Sequence, residues 1–170
     1  MINTKQIELK IKELENCDKN HIFEKIDYLV SNLELKDSLK IFSMLITHKD
    51  FRFRECAAYA LGEIGDNSSI SLLKIAYQKA PDNRKSRYVY ALRNLDCSEE
   101  LEFLLDVFLE GNFEVSNHAL DIIDSQNYRT QEKLYTILNE KIEKYTTCEK
   151  FDVRKYRIAK DILKESKENK

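Results

Sequence analysis

Apolar residues recur along the chain at three- and four-residue intervals, the spacing that lines one face of a helix. Residues 4–15 carry Ile7, Leu9, Ile11 and Leu14, and residues 21–33 carry Ile22, Ile26, Leu29, Val30 and Leu33. Asn16 to Asn20 break the two. Asp37 is a plausible cap for a helix over 37–47, with Leu39, Phe42, Leu45 and Ile46 inward. The turn His48-Lys49-Asp50 leads to a helix over 51–64, and Gly65 can stop it in the left-handed conformation. Asp66, Asn67 and Ser68 can cap the next helix, 68–79. Pro81-Asp82 suits a start for 83–95, and Ser98, Glu99 and Glu100 open a helix to about Leu109. Beyond Gly111-Asn112 the pattern predicts 113–124, Thr130 to Lys144, and a last helix near 149–165. The Lys/Glu-rich end, 165–170, is expected to fray.

This reads as ten helices in five pairs, with a repeating register. Tyr28, Tyr59 and Tyr90 stand 31 residues apart, followed by Leu29-Val30, Ala60-Leu61 and Ala91-Leu92. A further step of 28 reaches His118, followed by Ala119-Leu120. Such a period is the mark of a stacked array of hairpins.

The helix over 51–64 is the tightest. On a helical projection Phe53, Ala57, Ala60, Leu61 and Ile64 share one apolar sector, and Arg52, Glu55, Tyr59 and Gly62 fall opposite. Small alanines there admit a close neighbouring helix. The run Phe53-Arg54, Ala57-Ala58, Ala60-Leu61-Gly62 resembles the second helix of HEAT-like repeats of the phycobilisome-lyase type. It departs only in Phe for a branched apolar residue. The resemblance implies an all-α, right-handed α-solenoid of about five HEAT-like hairpins, in one domain spanning 1–170. It is strict for one repeat and looser elsewhere: Arg84-Lys85 and Tyr88-Val89 stand in the motif positions of the next. Those bulkier residues are expected to push helices apart.

Composition narrows the function. Net charge is −2 with 34% charged residues, a well-solvated surface with no bias toward nucleic acid. No apolar run approaches the roughly 20 residues of a membrane span, and no hydrophobic signal opens the chain. A cytoplasmic location follows as the expectation. Cys17, Cys56, Cys97 and Cys148 are scattered without a CxxC pair, which suggests reduced structural thiols. His21, His48 and His118 are isolated, so no metal site is expected. Phosphate loops, nucleophile elbows and HExxH motifs are absent, so neither enzymatic activity nor a cofactor is expected.

In HEAT arrays the second helices line the concave face. The resemblance therefore places Glu24, Tyr28, Arg52, Glu55, Tyr59, Tyr90, Arg93, Glu114, His118 and Asp121 there as candidate partner-binding residues, with Ser86 among them. Tyrosine offers a large ring, a polar tip and few rotors, and is enriched in interface hot spots. Rings among carboxylates suit a basic protein partner. The small acidic chain, rich in Lys, Asn and Ile, is similar to bacterial immunity proteins, which bind and neutralise a cognate toxin. A general HEAT-repeat scaffold or adaptor is the competing reading. A third is a HEAT-fold alkylpurine DNA glycosylase, which the acidic lean of the face (Asp27 and Glu63 included) disfavours. The C-terminal helix is locally basic, through Lys150, Arg154, Lys155, Arg157, Lys160 and Lys164, and reads as an exposed polar face.

Overall fold

The computed structural model describes residues 3–18, 21–126, 128 and 132–168. Among these the chain is helical and forms two compact units, Met1–Leu95 and Asp96–Lys170. The fold is an α-solenoid of helical hairpins.

The first unit holds α1 (Thr4–Glu15), α2 (Ile22–Asn32), α3 (Leu35–Leu45), α4 (Phe51–Ile64), α5 (Ser69–Lys79) and α6 (Lys85–Ala91). Contacts follow a two-layer ladder. α1 touches α3 and α3 touches α5, while α2 touches α4 and α4 touches α6; α3 and α5 also close hairpins with α4 and α6. Each interior helix is thus covered on several sides, and α4 buries Cys56, Ala58 and Gly62 besides Phe53, Ala57, Ala60 and Leu61 of its predicted apolar sector, while Ile64 is half-buried. Ile41, Phe42, Ala57, Ala60, Leu61 and Leu73 are wholly buried. Each large side chain among them contributes about 1.5–3 kcal/mol on leaving water.

Gly62 corrects its assignment to the outward side of α4. A Cβ there would lie 2.7 Å from the carbonyl oxygen and 3.0 Å from the Cα of Ala91. Glycine at this point lets α4 and α6 meet backbone to backbone. Tyr88 and Val89, at 2% and 0% exposure, are absorbed into the core without spreading α4 from α6 at this crossing. Gly65 ends α4 at φ 71°, as expected, a conformation that penalises any Cβ.

Side chains fix the turn into α4. Asp50 caps it, accepting from the Arg52 N–H at 2.9 Å, and the same carboxylate receives Nε and Nη2 of Arg52. Arg54, from the repeat motif, folds back to donate to the carbonyls of His48 (2.7 Å) and Lys49 (2.9 Å). The side-chain and backbone hydrogen bonds from Arg52 hold the Asp50 carboxyl well below the usual range. A depressed carboxylate stabilises the fold above its unfolded pKa of about 3.9 and loses that contribution as pH falls through the folded value. Asp50→Asn is therefore expected to shrink the stability difference between pH 6 and pH 3, read from urea midpoints at the two values. An undiminished difference assigns the acid sensitivity to other carboxylates.

Several boundaries move. α3 starts at Leu35, so Asp37 lies within its first turn, 5% exposed, and is not its cap. Pro81 opens a 3-10 turn, Asp82–Arg84, before the short α6, which ends in a second one, Leu92–Asn94. Ser68 does not cap α5; its N–H and hydroxyl bind Asp66 Oδ1 instead.

The second unit holds α7 (Leu101–Glu110), α8 (Phe113–Ser125), α9 (Glu132–Tyr145) and α10 (Val153–Glu168). Hairpins α7–α8 and α9–α10 form, and α10 also packs on α7. Ser98 to Glu100 make a turn before α7, with the Ser98 N–H donating to Asp96 Oδ1 at 3.1 Å. Asn112 caps α8 through Oδ1, which accepts from the Val115 N–H at 3.0 Å. The expected start at Thr130 and residues 169–170 lie outside the described residues. α10 runs through Glu168, and Ser166 is only 5% exposed, so 165–168 are helix and not a frayed tail. Nor is α10 a plain exposed basic face. Lys155 Nζ reaches into the α7–α8 turn, and Lys160 Nζ binds Asn139 at 2.7 Å and Glu143 at 2.9 Å.

Candidate functional site

In the first unit the even-numbered helices lie side by side and present one continuous face. Tyr28 on α2 is 63% exposed and Tyr90 on α6 is 45% exposed. Tyr59 on α4 is half-buried between them. Its ring meets Phe23 of α2 edge-on, with centroids 5.8 Å apart. Its hydroxyl donates to the Asp27 carboxylate, and burial followed by that bond pushes the phenol pKa up. The Arg93 guanidinium stands 5.5 Å from the Tyr90 ring centroid, within cation–π reach. Asn94 Nδ2 donates to Glu63 across the same helices at 3.4 Å. Tyr28 and Tyr90 are therefore at the surface, and Tyr59 is locked by Phe23 and Asp27.

Phe23 was not among the sequence candidates, although it is 50% exposed. Beside Ile22 it looks like one more core residue; only the α2–α4 crossing reveals it as part of the face.

Glu24 is exposed, as expected. Arg52 and Glu55 are engaged within the chain. Arg52 is clasped by Asp50, and Glu55 pairs with Arg84 at 2.8 Å, whose guanidinium lies 3.4 Å above the Phe51 ring. Ser86, expected on the outward ladder, is buried at 8%. With Arg52 and Glu55 neutralised, the α2–α4 side keeps exposed Glu24, Asp27 and Glu63, while Arg87 on α6 and Arg93 in the turn after it are exposed. The acidic lean thus belongs to α2 and α4. Glu114, His118 and Asp121 lie on α8 in the second unit; Glu114 and Asp121 are exposed and His118 is half-buried.

Beside Phe23 a cavity of about 220 Å³ opens between α2 and α4. Ile22, Phe23, Phe53, Cys17 and Cys56 line it, and Glu15, Arg52 and Glu55 carry its polar part. His48 orients Glu15. The Asp50 N–H donates to His48 Nδ1 at 3.0 Å, so the ring proton sits on Nε2, 2.9 Å from Glu15 Oε1.

Cys17, Cys56, Cys97 and Cys148 are free thiols. Burial pushes Cys56 up to about 11. Its thiolate fraction at neutral pH is about 100-fold below that of an ordinary thiol. Iodoacetamide at pH 7.5 is expected to label exposed Cys148 first, with Cys56 and Cys97 labelled only after denaturation. Peptide mass spectrometry of a time course checks this, and early Cys56 labelling contradicts the burial.

Among the described residues no helix is long and apolar enough to cross a membrane. No group of three His, Cys, Asp or Glu there is placed to hold a metal ion. No curated protein matches the chain. Residues 11–93 match the family model for HEAT repeats, a stretch that takes in α2 to α6 and the end of α1. HEAT repeats commonly serve as protein-interaction scaffolds, and residues 11–93 of this chain are similar to them.

Proposed function

We propose that the chain is a non-enzymatic protein-binding module whose α2–α4–α6 face takes a protein partner. The observation that carries this reading is the Phe23–Tyr59 ring pair, with exposed Tyr28 and Tyr90 on the two helices that flank α4. Partly exposed aromatic side chains gathered on one face are what an interface centre requires. Tyr59 is already held by Phe23 and Asp27, so little rotamer freedom is lost when a partner covers it. Carboxylates of α2 and α4 favour a basic surface opposite them and would steer its approach.

The narrower form of the proposal is an immunity protein that holds a basic toxin domain inactive in the bacterial cytoplasm. A scaffold with several weak partners is the second reading, favoured by the HEAT-repeat match itself. Affinity capture from the native host separates the two. One tight, salt-sensitive partner whose toxic activity is suppressed at equal stoichiometry supports the immunity form; several micromolar partners support the scaffold. Tyr59→Ala with Tyr90→Ala is expected to weaken partner binding by about tenfold or more, with helical circular dichroism near wild type. Unchanged affinity removes this face from the interface.

A further inference from the structure

We propose that the cavity between α2 and α4 is an anchor pocket for one arginine or lysine side chain of the protein partner. The alkyl stem would lie against the apolar wall and the cationic head at the polar rim. This rests on the reading of the α2–α4–α6 face as a protein-binding surface and names what that surface grips.

Size comes first. Pockets that enclose drug-sized ligands or cofactors run to about 300–1,000 Å³. At about 220 Å³ this cavity is smaller, the scale of a single long side chain. Its wall, built by Ile22, Phe23, Phe53 and Cys56, offers carbon and sulfur surface to a methylene chain. Ile22, Phe53 and Cys56 belong to the packed core, at 9%, 8% and 3% exposure, so the floor is rigid. Phe23 links the pocket directly to Tyr59 at the centre of the face.

Charge then selects the head group. Around this end of α4 the carboxylates Glu15, Asp50 and Glu55 meet the guanidiniums Arg52, Arg84 and Arg87, and of these Glu15, Glu55 and Arg52 line the slot itself. Arg52 is taken by Asp50 and Arg84 by Glu55. Glu15 receives a hydrogen bond from a ring whose other nitrogen accepts a backbone N–H, so its negative charge is not cancelled by that contact. A carboxylate beside an apolar slot recognises a guanidinium or ammonium on an alkyl stem and disfavours an anionic one.

The test titrates n-butylguanidinium into the full 15N-labelled chain and follows amide shifts. The expected result is saturable shifts confined to the neighbourhood of Ile22, Phe23, Phe53 and Cys56, with Kd on the order of 1–10 mM. Pentanoate at equal concentration is expected to leave those amides unmoved. Glu15→Gln is expected to weaken binding about threefold or more. Cys17→Trp, on the half-exposed turn after α1, should plug the slot and abolish the response while other amides keep their positions. Absent or scattered shifts, an equal response to pentanoate, or an unaltered response in both variants overturns the pocket. Failures remain separable. No response to n-butylguanidinium, with partner affinity still lost in the Tyr59/Tyr90 variant, sinks the pocket alone. A normal response, with partner affinity untouched in that variant, sinks the reading of the face.

Discussion

Gly62→Val is expected to destabilise the first unit by about 3 kcal/mol. The site is a contact between two backbones and not a gap beside a flexible side chain. A Cβ at residue 62 would sit 2.7 Å from the Ala91 carbonyl oxygen and 3.2 Å from the Ala91 Cβ. Neither neighbour can rotate away, so relief requires α4 and α6 to separate. Separation would open the layer where Ala58, Leu61, Val89 and Leu92 are at most 1% exposed. Against this stands the helix propensity of the substitution. Glycine costs about 1 kcal/mol relative to alanine inside a helix, and valine recovers part of that. Gly62→Ala therefore carries a smaller net penalty, about 1–2 kcal/mol, and orders the series wild type, Ala, Val. Urea midpoints at constant m-value give the three stabilities. An Ala variant more stable than wild type would mean the propensity gain wins and the approach at Ala91 is looser than these distances require. Tyr90 lies next to Ala91, so the Val variant is also expected to disturb the ring row, visible as lost binding beyond that explained by unfolding.

The hairpin alternation was open to sequence reading because several helix boundaries are written locally. Gly65 can only end α4, Asn112 can only cap α8, and the apolar spacing of Ile7 to Leu14 or Val115 to Ile123 has the period of a helix. Misplaced boundaries are those where a tertiary partner outbids local chemistry. Asp37 has the chemistry of a cap, yet α3 begins two residues earlier and carries it inside. Gly62 is ambiguous for the same reason. A projection of α4 alone places it opposite the alanines, and only the presence of α6 explains why that position is glycine. The tyrosine register was readable because α2, α4 and α6 are equivalent helices at a fixed step. The side-chain commitments were not. Glu55 and Arg84 are 29 residues apart, and their pairing removes from the face a carboxylate that looks available in the sequence. The cavity beside Phe23 has no sequence signature, since α1, α2 and α4 build it together.

Lys155→Met is expected to cost about 2–3 kcal/mol of stability in the second unit, whereas Arg157→Met, on the same helix but exposed, is expected to stay within about 0.5 kcal/mol. Lys155 Nζ donates to the carbonyls of Leu109 (3.2 Å) and Gly111 (2.8 Å) and to Ser116 Oγ (2.8 Å). The Ser116 hydroxyl in turn donates to the Phe108 carbonyl at 2.8 Å. One ammonium thus satisfies the carboxyl end of α7, where free carbonyls and the helix dipole favour a cation. It also ties α10 to the α7–α8 turn. Methionine keeps the stem but loses the ammonium, which also lies 5.9 Å from the Phe108 ring centroid, and with it the donor to all three acceptors. Burial pushes the Lys155 pKa down. The unfolded chain therefore holds that proton more tightly than the folded one, and stability rises with pH between the lowered folded value and roughly 10.4. Relative to Lys155→Met, wild type should gain across that alkaline window, a trend that general surface repulsion does not produce at one site. Hydrogen exchange localises the effect: amides of α7, α8 and α10 should lose protection in Lys155→Met and keep it in Arg157→Met. Equal protection in the two variants would show that the three acceptors are served as well by water, and that packing alone holds α10 in place.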